Sequence, residues 1–69
     1  MLSGNMLKVL QMLSEREMTF SELKKSTRMS EKMLESVVNS LKDRDYIADD
    51  GEKFKITENG KEMIKKTQL

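Results

Sequence analysis

The sequence predicts a mostly α fold with one small β-hairpin, laid out as helix, helix, helix, hairpin, helix. Three observations predict it. Thr19-Phe20-Ser21-Glu22 reads as a capping box and lies inside a hydrophobic staple formed by Met18 and Leu23. A second staple, Met29 with Leu34 around an N-capping Ser30, opens a longer helix shortly afterwards. Further on, Asp49-Asp50-Gly51-Glu52 sets an Asp-Gly turn between two short apolar stretches.

The first helix is carried by Met6, Leu7, Val9, Leu10, Met12 and Leu13, a stripe wide enough to need cover on more than one side. Ser3 or Asn5 can cap it, and the polar run Ser14-Glu15-Arg16-Glu17 ends it. The second helix runs from Phe20 to about Ser26, burying Phe20 and Leu23 and turning Glu22, Lys24 and Lys25 to water. A tight turn leads to the third, which ends near Arg44 and points Leu34, Val38 and Leu41 at the core. Met33 and Val37 widen that stripe. They either cover the broad first helix or offer a surface to a partner. Tyr46-Ile47-Ala48 and Phe54-Lys55-Ile56 form a two-stranded wing, and Thr57 caps a last helix that ends in Lys65 and Lys66, where cations suit the helix dipole. The expected layout is one domain over residues 1–69, with a helix-turn-helix at about 19–44, the wing at about 46–56 and the last helix at about 57–67.

At 69 residues the chain has room for a single modest core, with no Cys to staple it. No apolar run approaches the ~18 residues that cross a bilayer. Residues 1–5 lack the basic start and cleavage pattern of a secretory leader, so the expectation is a cytoplasmic protein without membrane association. The absence of His and Cys removes the usual base for a hydroxyl nucleophile. Asp49 and Asp50 at a hairpin tip are solvated turn residues, and the tract lacks the alternating ligands of a calcium loop. No enzyme, cofactor or metal is expected.

Three blocks in order resemble the winged-helix regulators of the MarR, ArsR and PadR type. Thr19-Phe20-Ser21-Glu22-Leu23 looks like the opening of their second helix. Met29-Ser30-Glu31-Lys32-Met33-Leu34, followed by Val38 and Leu41, is similar to their turn and recognition helix. Tyr46-Ile47 through Ile56-Thr57-Glu58-Asn59-Gly60 is similar to a wing leading into a Thr-x-x-Gly helix start. The resemblance implies a third helix in the DNA major groove and a wing against a neighbouring groove or backbone. It then implies that Lys32, Ser36 and Asn39 meet base edges, and that Ser30 meets a phosphate at a helix N-terminus. Lys24, Lys25, Arg28, Lys53 and Lys55 neutralise phosphates in the same reading. Such a regulator is expected to act as a dimer through its first or last helix, because one small module reads few base pairs.

Charge tempers this picture. Thirteen basic and twelve acidic residues leave a net charge of +1, so no global field draws the chain to nucleic acid. Glu31 and Glu35 lie on the third helix, the wing tip is acidic, and Asp45 stands where many relatives close that helix with Gly. The alternative function is a winged-helix protein-interaction module docking on a protein of a transcription, replication or degradation assembly.

Overall fold

The computed structural model describes residues 2–67. Its elements are α1 (Gly4–Glu15), β1 (Met18–Thr19), α2 (Phe20–Thr27), α3 (Glu31–Asp43), β2 (Ile47–Asp49), β3 (Lys53–Ile56) and α4 (Glu58–Thr67). Each helix begins where a hydroxyl can hold its first turn. Ser3 Oγ accepts from the Met6 amide at 3.2 Å, Ser30 Oγ from Met33 at 3.2 Å, and Thr57 Oγ1 from Gly60 at 3.1 Å. At α2 the capping box is complete: the Glu22 amide donates to Thr19 Oγ1 at 3.2 Å and the Thr19 amide to Glu22 Oε1 at 2.9 Å. Asn5 is not the α1 cap; its amide donates to Met33 Sδ at 3.5 Å, tying the first turn of α1 to α3.

The core is one cluster drawn from every helix except α4, with Val9, Leu10, Leu23, Leu34 and Leu41 fully buried. The width of α1 is explained by its position: it packs on α2, α3, α4 and β3. Val37 is buried in this cluster as the wide stripe requires, whereas Met33 is 47% exposed. Residues of α3 turn about 100° per position, which sets Met33 on the flank of the buried stripe rather than within it.

The expected two-stranded wing is present as the β2–β3 hairpin, and β1 adds a third strand to it. The resulting antiparallel sheet has the order β1-β3-β2, with Met18 paired to Phe54, Thr19 to Lys53, and Ile47, Ala48 and Asp49 to Ile56, Lys55 and Phe54. Two residues carry no readable periodicity, so β1 is silent in the sequence. The link from α1 to α2 has to run extended to reverse direction, and an extended Thr19 serves both as the end of β1 and as the N-cap of α2. Pairing also fixes the faces. Met18, Phe54 and Asp49 line up on the side toward the helices, and Lys53 and Lys55 share the outer side, since neighbours across a ladder point the same way.

Two helix ends use the left-handed region. After α3, Asp45 sits at φ 60°, with its amide on the Lys42 carbonyl at 2.9 Å and the Tyr46 amide on Leu41 at 3.0 Å. This is a Schellman closure, and Asp tolerates the conformation better than most residues. The Asp45 carboxylate also accepts from Asn59 Nδ2 at 2.9 Å, and its carbonyl accepts from the Thr57 hydroxyl at 2.6 Å, so the start of α4 is pinned to the end of α3. Gly60 then lies flat against that junction: a Cβ there would meet the Tyr46 carbonyl and come within 2.6 Å of Ile56. The helix start Thr57-Glu58-Asn59-Gly60 is therefore a packing requirement.

Candidate nucleic-acid interface

The turn between α2 and α3 consists of Arg28, Met29 and Ser30 and is held from within. The Thr27 hydroxyl, buried, donates to the Leu23 carbonyl at 2.7 Å and accepts from the Met29 amide at 3.4 Å. From α1, Lys8 Nζ donates to the Thr27 carbonyl at 3.3 Å, placing a cation at the C-terminal end of the α2 dipole. Nothing in the sequence pattern pointed to Lys8, because the contact joins residues distant along the chain.

Arg28 caps α2 at φ 60° and ψ 24°, an unusual conformation for an arginine. It is exposed, and among the described residues no hydrogen bond or ion pair holds its guanidinium. Lys24, Lys25 and Ser21 share its face of α2, and with Met29 these residues border a shallow basic hollow of about 470 Å³. The only ionic partner of this group among the described residues is Glu31, 3.9 Å from Lys24 and exposed.

On α3 the buried stripe is Leu34, Val37, Val38 and Leu41. At 3.6 residues per turn the opposite side is Lys32, Ser36, Asn39 and Asp43, and all four are exposed. Lys32, Ser36 and Asn39 thus form one solvent-facing row on the helix that follows the basic hollow in the chain, with the exposed Ser30 at its N-terminal end. Glu31, Glu35 and Lys42 fall on a different flank, the one facing the wing.

Lys53 and Lys55 are exposed on the outer face of β3 and are not brought to the Lys24, Lys25 and Arg28 surface. Phe54 between them points the other way, toward Phe20. Of the two residues expected to be buried on α2, Leu23 is, whereas Phe20 is only half-buried. It is the first residue of α2, beside the sheet, and one side of its ring opens onto a groove of about 380 Å³ that also touches Phe54, Val38, Glu35 and Asn39.

The wing tip uses its carboxylates internally. Asp50 Oδ1 accepts from the amides of Glu52 and Lys53, both at 2.9 Å, and Asp49 Oδ1 accepts from Gly51 at 3.1 Å. Gly51 supplies the φ of 95° that the turn demands. Asp49 Oδ2 meets Lys42 Nζ at 2.7 Å, bridging β2 to α3. The hydrogen bond from Lys42, then that from Gly51, holds the Asp49 carboxyl below its ordinary value, and the Lys53 and Glu52 amides do the same for Asp50. Glu22 is lowered chiefly by the Thr19 amide, with a smaller contribution from the charge of Lys53.

Among the described residues no cluster of three or more side chains is arranged to hold a metal ion, and no helix is long and apolar enough to cross a membrane. The model of one protein family, described as winged helix-turn-helix, matches residues 5–69. Among solved structures, the chain is similar to the adhesin competence repressor of Streptococcus pyogenes. The TM-score is 0.83 at 23% identity over 96% of this chain and 53% of that one. A C-terminally His-tagged form of the repressor gives 0.82 at 24% identity, covering 94% and 54%. The chain spans about half the length of these structures, and at such identity the likeness is one of fold. No curated protein matches the sequence.

Proposed function

Because the chain belongs to the winged helix-turn-helix family, we propose that it binds double-stranded DNA sequence-specifically as a small transcriptional regulator. The observation that carries this reading is the exposed row of Lys32, Ser36 and Asn39 on α3, preceded across a three-residue turn by the exposed basic surface of Lys24, Lys25 and Arg28. A helix docked in the major groove needs short polar readers on its free face and cations at its N-terminal approach. Asn39 can bridge adenine N6 and N7, Lys32 can reach guanine acceptors, and Ser36 can donate or accept. Ser30 at the start of α3 meets a phosphate where the helix dipole favours one. Lys53 and Lys55, on the outer wing face, take phosphates farther along the duplex. The structural neighbour is a repressor by name, which agrees with regulation by DNA occupancy.

In this reading the 69 residues act as a single non-catalytic domain in the cytoplasm, without a cofactor, and pair through α1 or α4 so that two modules read a longer site. The test is duplex binding followed by fluorescence anisotropy across a salt series, first with a random-sequence duplex and then with sites selected from a random pool. Affinity should fall steeply as salt rises, and Lys25→Glu should weaken every sequence alike. No binding to any duplex at low salt would overturn the reading.

A further inference from the structure

We propose that the groove between α3 and the wing docks a basic, apolar segment of a partner protein, and that this docking displaces DNA. The floor of the groove is the half-buried ring pair Phe20 and Phe54, which continues across the wing into a second hollow of about 170 Å³ beside Gly51 and Glu52. Carboxylates stand on both sides of the rings: Glu31 and Glu35 from α3, Asp49 and Glu52 from the wing. Lys42 neutralises Asp49 at 2.7 Å and Lys24 approaches Glu31 at 3.9 Å, while Glu35 and Glu52 have no ionic partner among the described residues. Two uncompensated acids flanking two phenyl rings repel a phosphate backbone and attract the opposite chemistry. That chemistry is an apolar side chain laid on the rings, with Arg or Lys on either side of it to meet the acids and the ring faces.

The occupant is a protein segment because the cleft is open and divided into two adjoining hollows that share the rings. That shape suits successive side chains of one chain better than a small enclosed ligand. Asn39 lines the groove and also belongs to the exposed α3 row. A segment seated there covers a base-reading side chain, so docking and DNA binding exclude one another. The displacement rests on the DNA-binding reading above; the docking does not.

The experiment selects 12-residue peptides from a random displayed library on the full chain. The winner is then followed by fluorescence anisotropy and by amide chemical shifts. The expected winners carry an apolar residue flanked by Arg or Lys, shift Phe20, Phe54 and Asn39, and lose about tenfold or more in affinity on Glu35→Lys. Glu35 is exposed and unpaired, so this variant should keep its circular dichroism and melting point. Winners without basic residues, winners that bind Glu35→Lys as well as the parent, or shifts confined to another face would overturn the proposal. So would self-association abolished by Glu35→Lys, since a second copy would then fill the cleft. A chain that binds the peptide but no duplex leaves docking standing and refutes the DNA reading. One that binds duplex but selects no peptide does the reverse.

Discussion

Replacing Arg28 by Gly should make the protein more stable and a weaker DNA binder, two effects of opposite sign from one side chain. Arg28 holds φ at 60°, where a Cβ costs roughly 1–2 kcal/mol. Gly relieves that strain but loses about 0.5–1 kcal/mol through the greater freedom of the unfolded chain. The guanidinium is exposed and bonded to nothing among the described residues, so its removal forfeits no internal contact. The backbone bond from the Arg28 amide to the Lys24 carbonyl, 2.9 Å, is independent of the side chain. A net gain of about 0–1.5 kcal/mol follows, centred on roughly 0.75 kcal/mol, or about 3–6 °C in melting temperature for a domain of this size. On DNA, losing one phosphate contact should lower the slope of log affinity against log salt by about one. Calorimetric melting and anisotropy over a salt series read the two effects separately. Arg28→Lys keeps both the charge and the strain, and should leave melting point and salt slope unchanged. Asp45→Gly relieves the same φ but loses the bond from Asn59, worth about 0.5–1.5 kcal/mol, so it should come out close to neutral. A lower melting point for Arg28→Gly would refute the strain argument, and an unchanged salt slope would refute the phosphate role.

Gly60→Ala should cost about 1–3 kcal/mol in urea unfolding, because the added methyl meets backbone at Tyr46 rather than a side chain that can swing aside; an unmoved midpoint would show that the α3–α4 junction yields. Acid should weaken the fold through Glu22, Asp49 and Asp50. Their folded values lie below the ordinary carboxylate range, so the unfolded chain takes up protons first. Their stabilisation is complete above the ordinary range and is lost from about pH 5 downward as pH falls through the lowered folded values. Denaturant midpoints against pH should show that decline, and Asp50→Ala should flatten it. Asn39→Ala should keep the melting point and cost about 1–3 kcal/mol of discrimination at one base position, seen as a relaxed preference when selected sites are compared.

Much of the fold was legible because its signals are local. A capping box, two staples and an Asp-Gly turn each depend on residues within a few positions of one another; α2 and α3 start where the box and staples lie, and α1 and α4 at the hydroxyl caps Ser3 and Thr57. The tolerance of Asp45 for a left-handed closure could be read from its residue type. Arg28 in the same conformation could not, since nothing about arginine announces it. What escaped the sequence is what joins distant segments. Strand β1, the Lys8 ammonium on Thr27, the Lys42 and Asp49 bridge and the half-open Phe20 all depend on tertiary approach. The candidate interface divides in the same way. Helical periodicity alone puts Lys32, Ser36 and Asn39 on one row, but only the sheet register sets Lys53 beside Thr19 and Lys55 beside Ala48 on one face of the wing.

Thr19 is a member of two elements at once, paired with Lys53 in the sheet and closing the first turn of α2 with its hydroxyl. Wing and helix pair therefore share a rivet, and the wing cannot swing as an independent flap without loosening the entry to α2. In hydrogen exchange the Thr19 and Glu22 amides should open together with the β1–β3 ladder as one cooperative unit, at a free energy above that of the exposed wing tip. A ligand pressing on the wing would be felt at the mouth of the helix-turn-helix, through Thr19 at the start of α2 as well as through the Lys42 and Asp49 bridge to α3.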